Sequence, residues 1–299
     1  MATDAVTHTP PDGAVESLPP PLALALAEPD SEPIPLRVVV KKRVVGGSVA
    51  RPHYWPWQVS LQYRSRGSSY HHTCGGTLVS RDWVMTAAHC VNRCRTWRVV
   101  LGEYDLNCNS RKEQILGVTR VYIHPKWNSK KLANGYDIAL LRLSSKAQLN
   151  SDVRLATLPP PGQVLGHKHV CYITGWGRTS TKGRLSTLLK QAYLPIVGHS
   201  TCSCPSWWGR TVKNTMLCAG GGSNSGCNGD SGGPLNCWVN GKYVVHGITS
   251  FGSRHGCNIR QRPTVFTRVS AFLCWMKRVR AGIQHARDVR ENGATKREF

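Results

Sequence analysis

A serine set among glycines, Gly229-Asp230-Ser231-Gly232-Gly233-Pro234, is the first place in this chain where residue types promise chemistry. The glycines let the backbone turn sharply and leave its amides free to face a bound substrate. A serine hydroxyl is a weak nucleophile at neutral pH and needs a base within hydrogen-bond reach. Thr86-Ala87-Ala88-His89-Cys90 supplies an imidazole, and Tyr136-Asp137-Ile138-Ala139-Leu140-Leu141 supplies an acid running straight into an apolar stretch. Taken singly, the glycine run is also a polar surface turn, and a lone histidine is more often a satisfied core residue. Together, in the order His89, Asp137, Ser231, they spell acyl transfer to serine with an acid-oriented imidazole as the proton carrier.

The surrounding elements read mainly as strands. Trp57–Tyr63, Trp97–Leu101 and Tyr243–Thr249 alternate apolar and polar residues, with glycine or polar turns between such runs. Two stretches read as helix, one around Gly198–Cys204 and one from about Arg268 to Ala286. With 299 residues the chain can bury a substantial core, and 29 glycines and 18 prolines favour turns and strands over long helices. No run approaches the roughly 20 apolar residues of a membrane helix, so no transmembrane segment is expected. Twelve cysteines without a zinc-ligand spacing point to an oxidising, secretory environment.

The net charge is +23, with four basic and six acidic residues before Val44, which leaves 35 basic and ten acidic residues after it, a balance of +25. Such a surface either attracts polyanions with a salt-dependent affinity or is simply solvated. No motif for specific nucleic-acid reading accompanies it. Residues 1–43 are rich in Pro, Ala, Ser and acids and read as poorly ordered. They make a poor secretory signal, since Asp4 stands where a basic start is expected and the apolar run Leu22–Ala27 is short and late. A 5′ exon missing or misjoined in this sequence would reconcile that head with the cysteines.

From Val44 to about Ile283 the chain resembles the chymotrypsin-like serine protease family, and in particular its pancreatic elastases of type 1. The resemblance is carried by VVGG from Val44, WPWQVSLQY from Trp55, CGGTLVSRDWVMTAAHC from Cys74, GYDIALLRL from Gly135 and CYITGWGRT from Cys171. TVKNTMLCAGG from Thr211, the run Gly226–Leu235 and PTVFTRVSAF from Pro263 add to it. It spans roughly four-fifths of the chain. It implies an all-β fold of two six-stranded antiparallel barrels, at about 44–158 and 163–267, joined near Pro159-Pro160-Pro161. A C-terminal helix at about 268–283 and a basic tail over 284–299 would follow. His89 and Asp137 would come from the first barrel and Ser231 from the second.

By the same resemblance, the amides of Gly229 and Ser231 form the oxyanion hole, and Ser250 supports Asp137. The segment Ser250–Gly252 would pair with the substrate backbone. Arg43-Val44 resembles an activation site cut after Arg43 by a trypsin-like enzyme, with the freed Val44 ammonium pairing with Asp230. Lys41-Lys42-Arg43 also fits a furin-like site or a plain basic run. Ser225 would lie at the base of the primary pocket, with Gly252 and Thr264 as its walls. Trypsin-like enzymes carry Asp at the Ser225 position, so Lys and Arg are disfavoured. Type 1 elastases carry a valine at the Gly252 position; here the mouth is open while Thr264 shortens the floor. Leu, Met, Ala and Val are therefore expected before the cleaved bond, in preference to Phe or Tyr.

The resemblance also implies four disulfides: Cys74–Cys90, Cys171–Cys237, Cys202–Cys218 and Cys227–Cys257. Cys204 and Cys274 fall on neighbouring surface helices in the family's geometry, so a bridge between them is conceivable; Cys94 and Cys108 have no assigned partner. Glu103–Glu113 resembles the family's calcium loop, with Glu103 and Glu113 as the carboxylate ligands of Ca²⁺, although Arg111 and Lys112 within it equally suit a solvated loop. Catalysis itself needs no cofactor. The expected partners are protein and peptide substrates, an activating trypsin-like protease and protease inhibitors, with the chain itself a monomer. The rival expectation is a catalytically idle basic protein on the same fold that binds polyanions.

Overall fold

The computed structural model describes residues 47–65 and 67–282. Arg43, Val44, the rest of the N-terminal head and the tail over 284–299 lie outside the described residues.

The first half is a closed six-stranded barrel. Its strands are β2 (Gln58–Arg64), β3 (His71–Ser80), β4 (Trp83–Thr86), β5 (Thr96–Leu101), β6 (Gln114–Ile123) and β7 (Ala139–Leu143), in the order β2-β3-β4-β7-β6-β5. All the pairings are antiparallel. The alternation in β2 sorts its side chains as expected: Val59 and Leu61 join Leu78, Val84, Met85, Val99, Leu140 and Leu141 in a fully enclosed apolar core. Gln58 and Ser60 are buried as well, so their polar groups must find partners inside the protein.

Ser60 is met within the first barrel by His72 and Gln62, whereas Gln58 reaches into the second half. Thr174 Oγ1 donates to Gln58 Oε1 at 2.6 Å, Asn236 Nδ2 donates to Thr174 Oγ1 at 3.2 Å, and Trp57 Nε1 donates to Asn236 Oδ1 at 2.8 Å. A satisfied polar network of this kind fixes one relative setting of the two halves, because any slip would strand buried donors and acceptors.

The second half is an eight-stranded antiparallel sheet. It contains β1 (Ser48–Val49), β8 (Cys171–Gly175), β9 (Lys190–Tyr193), β10 (Ile196–Val197), β11 (Met216–Ala219), β12 (Pro234–Val239), β13 (Lys242–Phe251) and β14 (Thr264–Arg268). The order is β1-β9-β8-β12-β13-β14-β11-β10. The resemblance led to a second closed barrel of six strands; the hydrogen-bonded ladder found here is open and has eight. β10, at one end of the ladder, follows β9 after only Leu194 and Pro195. Proline has no N–H to donate, so it interrupts the strand at that point.

The first expected helix is α1 (His199–Cys202), and residues 273–282 form a second helix, α2. Arg268 itself stays in β14, paired with Gly247, and a 3₁₀ turn at Val269–Ala271 separates it from α2. Phe272, Trp275 and Met276 are buried against the core of the first barrel, at a spacing that puts them on one helical face. The four disulfides form as the resemblance implied, with Cys171 and Cys237 directly opposite each other in the β8–β12 ladder. Cys94, Cys108, Cys204 and Cys274 are free and exposed, so no bridge joins Cys204 to Cys274.

Candidate active site

His89 sits in a 3₁₀ turn, Ala88–Cys90, that follows β4, and the Cys74–Cys90 disulfide ties this turn to β3. Asp137 lies just before β7 and is only 1% exposed, whereas His89 keeps 29% of its side chain open. The two residues meet twice: the His89 amide donates to Asp137 Oδ1 at 2.9 Å, and Nδ1 donates to Oδ2 at 2.7 Å. The second bond keeps the ring proton on Nδ1 and leaves Nε2 as a lone-pair base.

Asp137 is further fixed by the second half. Ser250 Oγ donates to Oδ2 at 2.5 Å, and Thr267 Oγ1 donates to the Asp137 carbonyl at 2.8 Å. Tyr136, immediately before it, holds a positive φ of 63°, a conformation that costs a bulky residue energy. Its ring stacks on His124 at 5.0 Å, and His124 packs in turn on Phe272 and Trp275 beside α2. Those packing contacts hold the strained turn that aims the acid.

Ser231 occupies a turn before β12. Gly229 has φ +103° and Gly232 has φ +77°. A Cβ at Gly229 would stand 2.9 Å from the Gly177 Cα, and one at Gly232 would stand 2.6 Å from the Gly75 carbonyl oxygen. The turn therefore needs glycine for both conformation and space. The Gly75 amide donates to the Ser231 carbonyl at 2.8 Å, and the Gly232 amide donates to the Thr249 carbonyl at 2.8 Å. The Ser231 turn is thus bound to the first barrel through β3 and to the second half through β13.

Asp230 points away from solvent and is 1% exposed. Oδ1 accepts from the Gly177 amide and Oδ2 from the Cys227 amide, both at 2.9 Å. Burial outweighs these bonds and pushes the carboxyl up to about 6.

Sequence reasoning missed His72 and Ser60. Ser60 Oγ lies 2.8 Å from His72 Nδ1, and His72 Nε2 reaches the Gly229 carbonyl at 3.4 Å. Burial holds His72 down to about 4, against the smaller opposing effect of that carbonyl. The neutral ring accepts from Ser60 and donates to Gly229, bracing the turn that carries Ser231. The only signal was adjacency, since His72 stands two residues before Cys74.

Beside Ser231 lies a cleft of about 270 Å³ whose wall includes Ser250, Gly252, Arg254 and Thr264. Thr264 Oγ1 accepts from the Gly226 amide at 3.0 Å. Ser225, next to Gly226, is 1% exposed, and its hydroxyl is buried without a hydrogen-bond partner. A Cβ on Gly252 would meet nothing within 4 Å. The Cys227–Cys257 disulfide pins the segment before Ser231 to the far wall of the cleft.

Glu103 and Glu113 line a common depression on the first barrel. Burial, and then the charge of Glu113, raises Glu103 to about 7. Glu113, although itself partly desolvated, is held below the ordinary carboxylate range by donors from Ser110 and Lys112. The Lys112 ammonium turns toward Asp152 at 3.8 Å. The two carboxylates repel each other, and carboxylate oxygens are the type of donor a hard cation takes.

Comparison with known proteins gives the family. The Trypsin family model matches residues 44–276. Chymotrypsin-like elastase family member 1 from Rattus norvegicus is 59% identical over 238 residues, covering 79% of this chain and 89% of that protein. The Homo sapiens protein of the same description is 58% identical over 238 residues, covering 79% and 92%, and chymotrypsin-like elastase family member 3B from Homo sapiens is 55% identical over 238 residues, covering 79% and 88%. With the acid, imidazole and glycine-set serine held as described, the chain belongs to the trypsin family and, within it, to the chymotrypsin-like elastases, which are serine endopeptidases.

Proposed function

We propose that this endopeptidase is secreted as a zymogen, is cut after Arg43, and cleaves peptide bonds after Leu, Met, Ala and Val through an acyl-enzyme. The observation that carries the reading is the fixed Asp137–His89 pair, two bonds to one carboxylate, on a first barrel that also anchors the Ser231 turn through Gly75. In the proposed reaction Ser231 Oγ attacks the scissile carbonyl while His89 Nε2 takes its proton. The oxyanion lies between the amides of Gly229 and Ser231, each donor contributing about 3 kcal/mol of transition-state stabilisation. His89 then protonates the leaving amine, and water attacks the acyl-enzyme by the same route in reverse. Asp137 keeps the ring oriented and stabilises its charged form.

The specificity follows from the cleft. Ser225 offers no charge to a buried Lys or Arg, which would cost several kcal/mol to desolvate unpaired. Thr264 limits the depth, and the open edge at Gly252 admits branched aliphatic groups. The peptidase domain spans about 44–283, between the head over 1–43 and the tail over 284–299. The four disulfides support an oxidising, extracellular setting. Glu103 and Glu113 are the proposed calcium carboxylates, and the ion would neutralise their repulsion without entering the reaction. The remaining proposed partners are an activating trypsin-like protease and protease inhibitors, with a monomeric chain.

The test is a cleavage profile. The purified precursor is activated with trypsin, the trypsin is removed, and peptides differing only in the residue before the scissile bond are compared. Cleavage after Leu, Met or Ala that falls about 10⁴-fold or more in Ser231→Ala is the expected result. A correctly processed Val44 terminus with no cleavage of any peptide would overturn the reading in favour of a basic binding protein.

A further inference from the structure

A second cavity, of about 320 Å³, shares no lining residue with the cleft beside Ser231. Its walls come from β10, β11 and the segment after Gly162, and apolar side chains such as Leu165, Ile196, Val212 and Met216 make up much of them. Two polar atoms are stranded among these. His246, on β13, is 1% exposed, lines the cavity, and has no partner for its buried Nε2. Gln163 also lines it, and its Oε1 is buried without a partner. Buried polar atoms are nearly always paired in native proteins, so a pair of orphans at one cavity marks a place where a ligand's polar group fits. The volume is at the lower end of small-molecule sites.

The charges narrow the ligand class. Arg268 also lines the cavity, but its Nε donates to the Asn214 carbonyl at 2.9 Å and its Nη1 to Ser270 Oγ at 2.8 Å. No carboxylate is among the lining residues, so a cation would face Arg268 unpaired. An anion would meet the lone pairs of Gln163 Oε1. Burial, and then the charge of His169, holds His246 down to about 4, so the ring is neutral at physiological pH. A pure hydrocarbon would leave both orphans unsatisfied.

We propose that this cavity binds an uncharged, hydroxylated aromatic molecule, whose hydroxyl engages Gln163 Oε1 and His246 Nε2, and that its occupancy is felt at the catalytic acid. The coupling runs through short, specific connections. β13 carries both His246 and Ser250, the residue on the Asp137 carboxylate; β14 carries both Arg268 and Thr267, the residue on the Asp137 carbonyl. The Met216 methyl carbon of the cavity wall lies 3.3 Å from where a Gly135 side chain would begin, two residues before Asp137.

The probe is 2-naphthol, followed by its fluorescence, with naphthalene as the control that lacks the hydroxyl. The protein is the activated enzyme blocked at Ser231 with a serine-directed phosphonate, with the adduct verified by mass, so that the substrate cleft is closed to the probe. Naphthol should bind the blocked enzyme about ten-fold more tightly than naphthalene, and Gln163→Leu and His246→Leu should each remove most of that difference. If His246→Leu does not react with the phosphonate, and so has not folded, the half-exposed Gln163 position decides the matter alone. Equal binding of the two probes, loss of binding on blocking, or unchanged affinity in Gln163→Leu would overturn the site. In unblocked enzyme at saturating Leu peptide, naphthol should shift kcat severalfold in the wild type and not in Gln163→Leu. An unchanged wild-type kcat would overturn the coupling to Asp137.

Discussion

Replacing Gly252 with valine should convert a broad aliphatic preference into one for alanine. A Cβ at this position meets no atom within 4 Å and no positive φ forbids a branched residue there, so the variant should fold and keep its disulfides. The added isopropyl group must then occupy the open edge of the cleft of about 270 Å³, whose lining also includes Gly226 and Thr264. A leucine side chain carries three carbons more than alanine, and space for one methylene in an apolar pocket is worth about 1–3 kcal/mol, or roughly 10- to 200-fold in kcat/KM. The Leu-to-Ala ratio of kcat/KM should therefore fall by at least about ten-fold. The alanine peptide itself should change little, which separates a blocked pocket from a damaged catalytic centre. The assay compares two peptides identical except before the scissile bond, with active sites titrated by a phosphonate. A ratio that stays within about twofold of wild type would refute the assignment of Gly252 to the pocket wall.

Two further outcomes test the nucleophile turn. Gly229→Ala places a methyl group 2.9 Å from the Gly177 backbone, in a residue at φ +103°, so the oxyanion amides must move; kcat should fall about 10²- to 10³-fold, read in single-turnover kinetics against the same peptide, and a loss under threefold would contradict the role given to this turn. The buried Asp230 makes stability depend on pH in the uncut precursor, prepared as Arg43→Gln. Its folded value near 6 lies above the ordinary 3.8, so the unfolded chain releases that proton first, and the contribution of this one group falls by roughly 3 kcal/mol as pH rises from about 4 through about 6. His72 and His246, held near 4 in both forms, act in the opposite direction, so the difference between precursor and cleaved enzyme isolates Asp230. Cleaved enzyme, with the Val44 ammonium available to stabilise the carboxylate, should lose far less over the same interval; identical urea midpoints for the two forms at pH 4 and pH 7 would rule out the pairing.

Much of this site was legible in the sequence because its parts obey local rules. Glycine at 229 and 232 is required by positive φ and by close backbone approach, and both demands are visible as a glycine-rich run around one serine. The alternation of β2 foretold Val59 and Leu61 inside, but not that Gln58 would be buried too, since its partner Thr174 lies 116 residues away. His72 escaped for the same reason: its work is done on Gly229, 157 residues later, and nothing local distinguishes it from its exposed neighbour His71. The second sheet departs from the expected barrel at Pro195, where a single missing N–H separates β9 from β10. Propensity also placed the start of the C-terminal helix too early, because the ladder partner Gly247 keeps Arg268 extended.

The contrast between two aspartates explains why such a site benefits from an activation step. Seven acidic residues lie among the described residues, and only Asp137 and Asp230 are buried to 1% exposure. Asp137 receives three donors on its carboxylate, one of them an imidazole able to carry the positive charge that develops in the reaction. Asp230 receives two neutral amides, and burial prevails over them. A buried carboxylate with so few donors is stabilised best by a cation placed against it. Asp230 is the immediate neighbour of Ser231 and lies one residue after Gly229, so a charge that seats Asp230 would also set the amides of the proposed oxyanion hole. A freshly cut Val44 ammonium would be such a charge, created only when Arg43–Val44 is cleaved. Under the proposed activation the turn that carries Ser231 would stay idle until the chain is cut, and the energetic difference between the two forms would reside in one carboxylate rather than in the proposed triad.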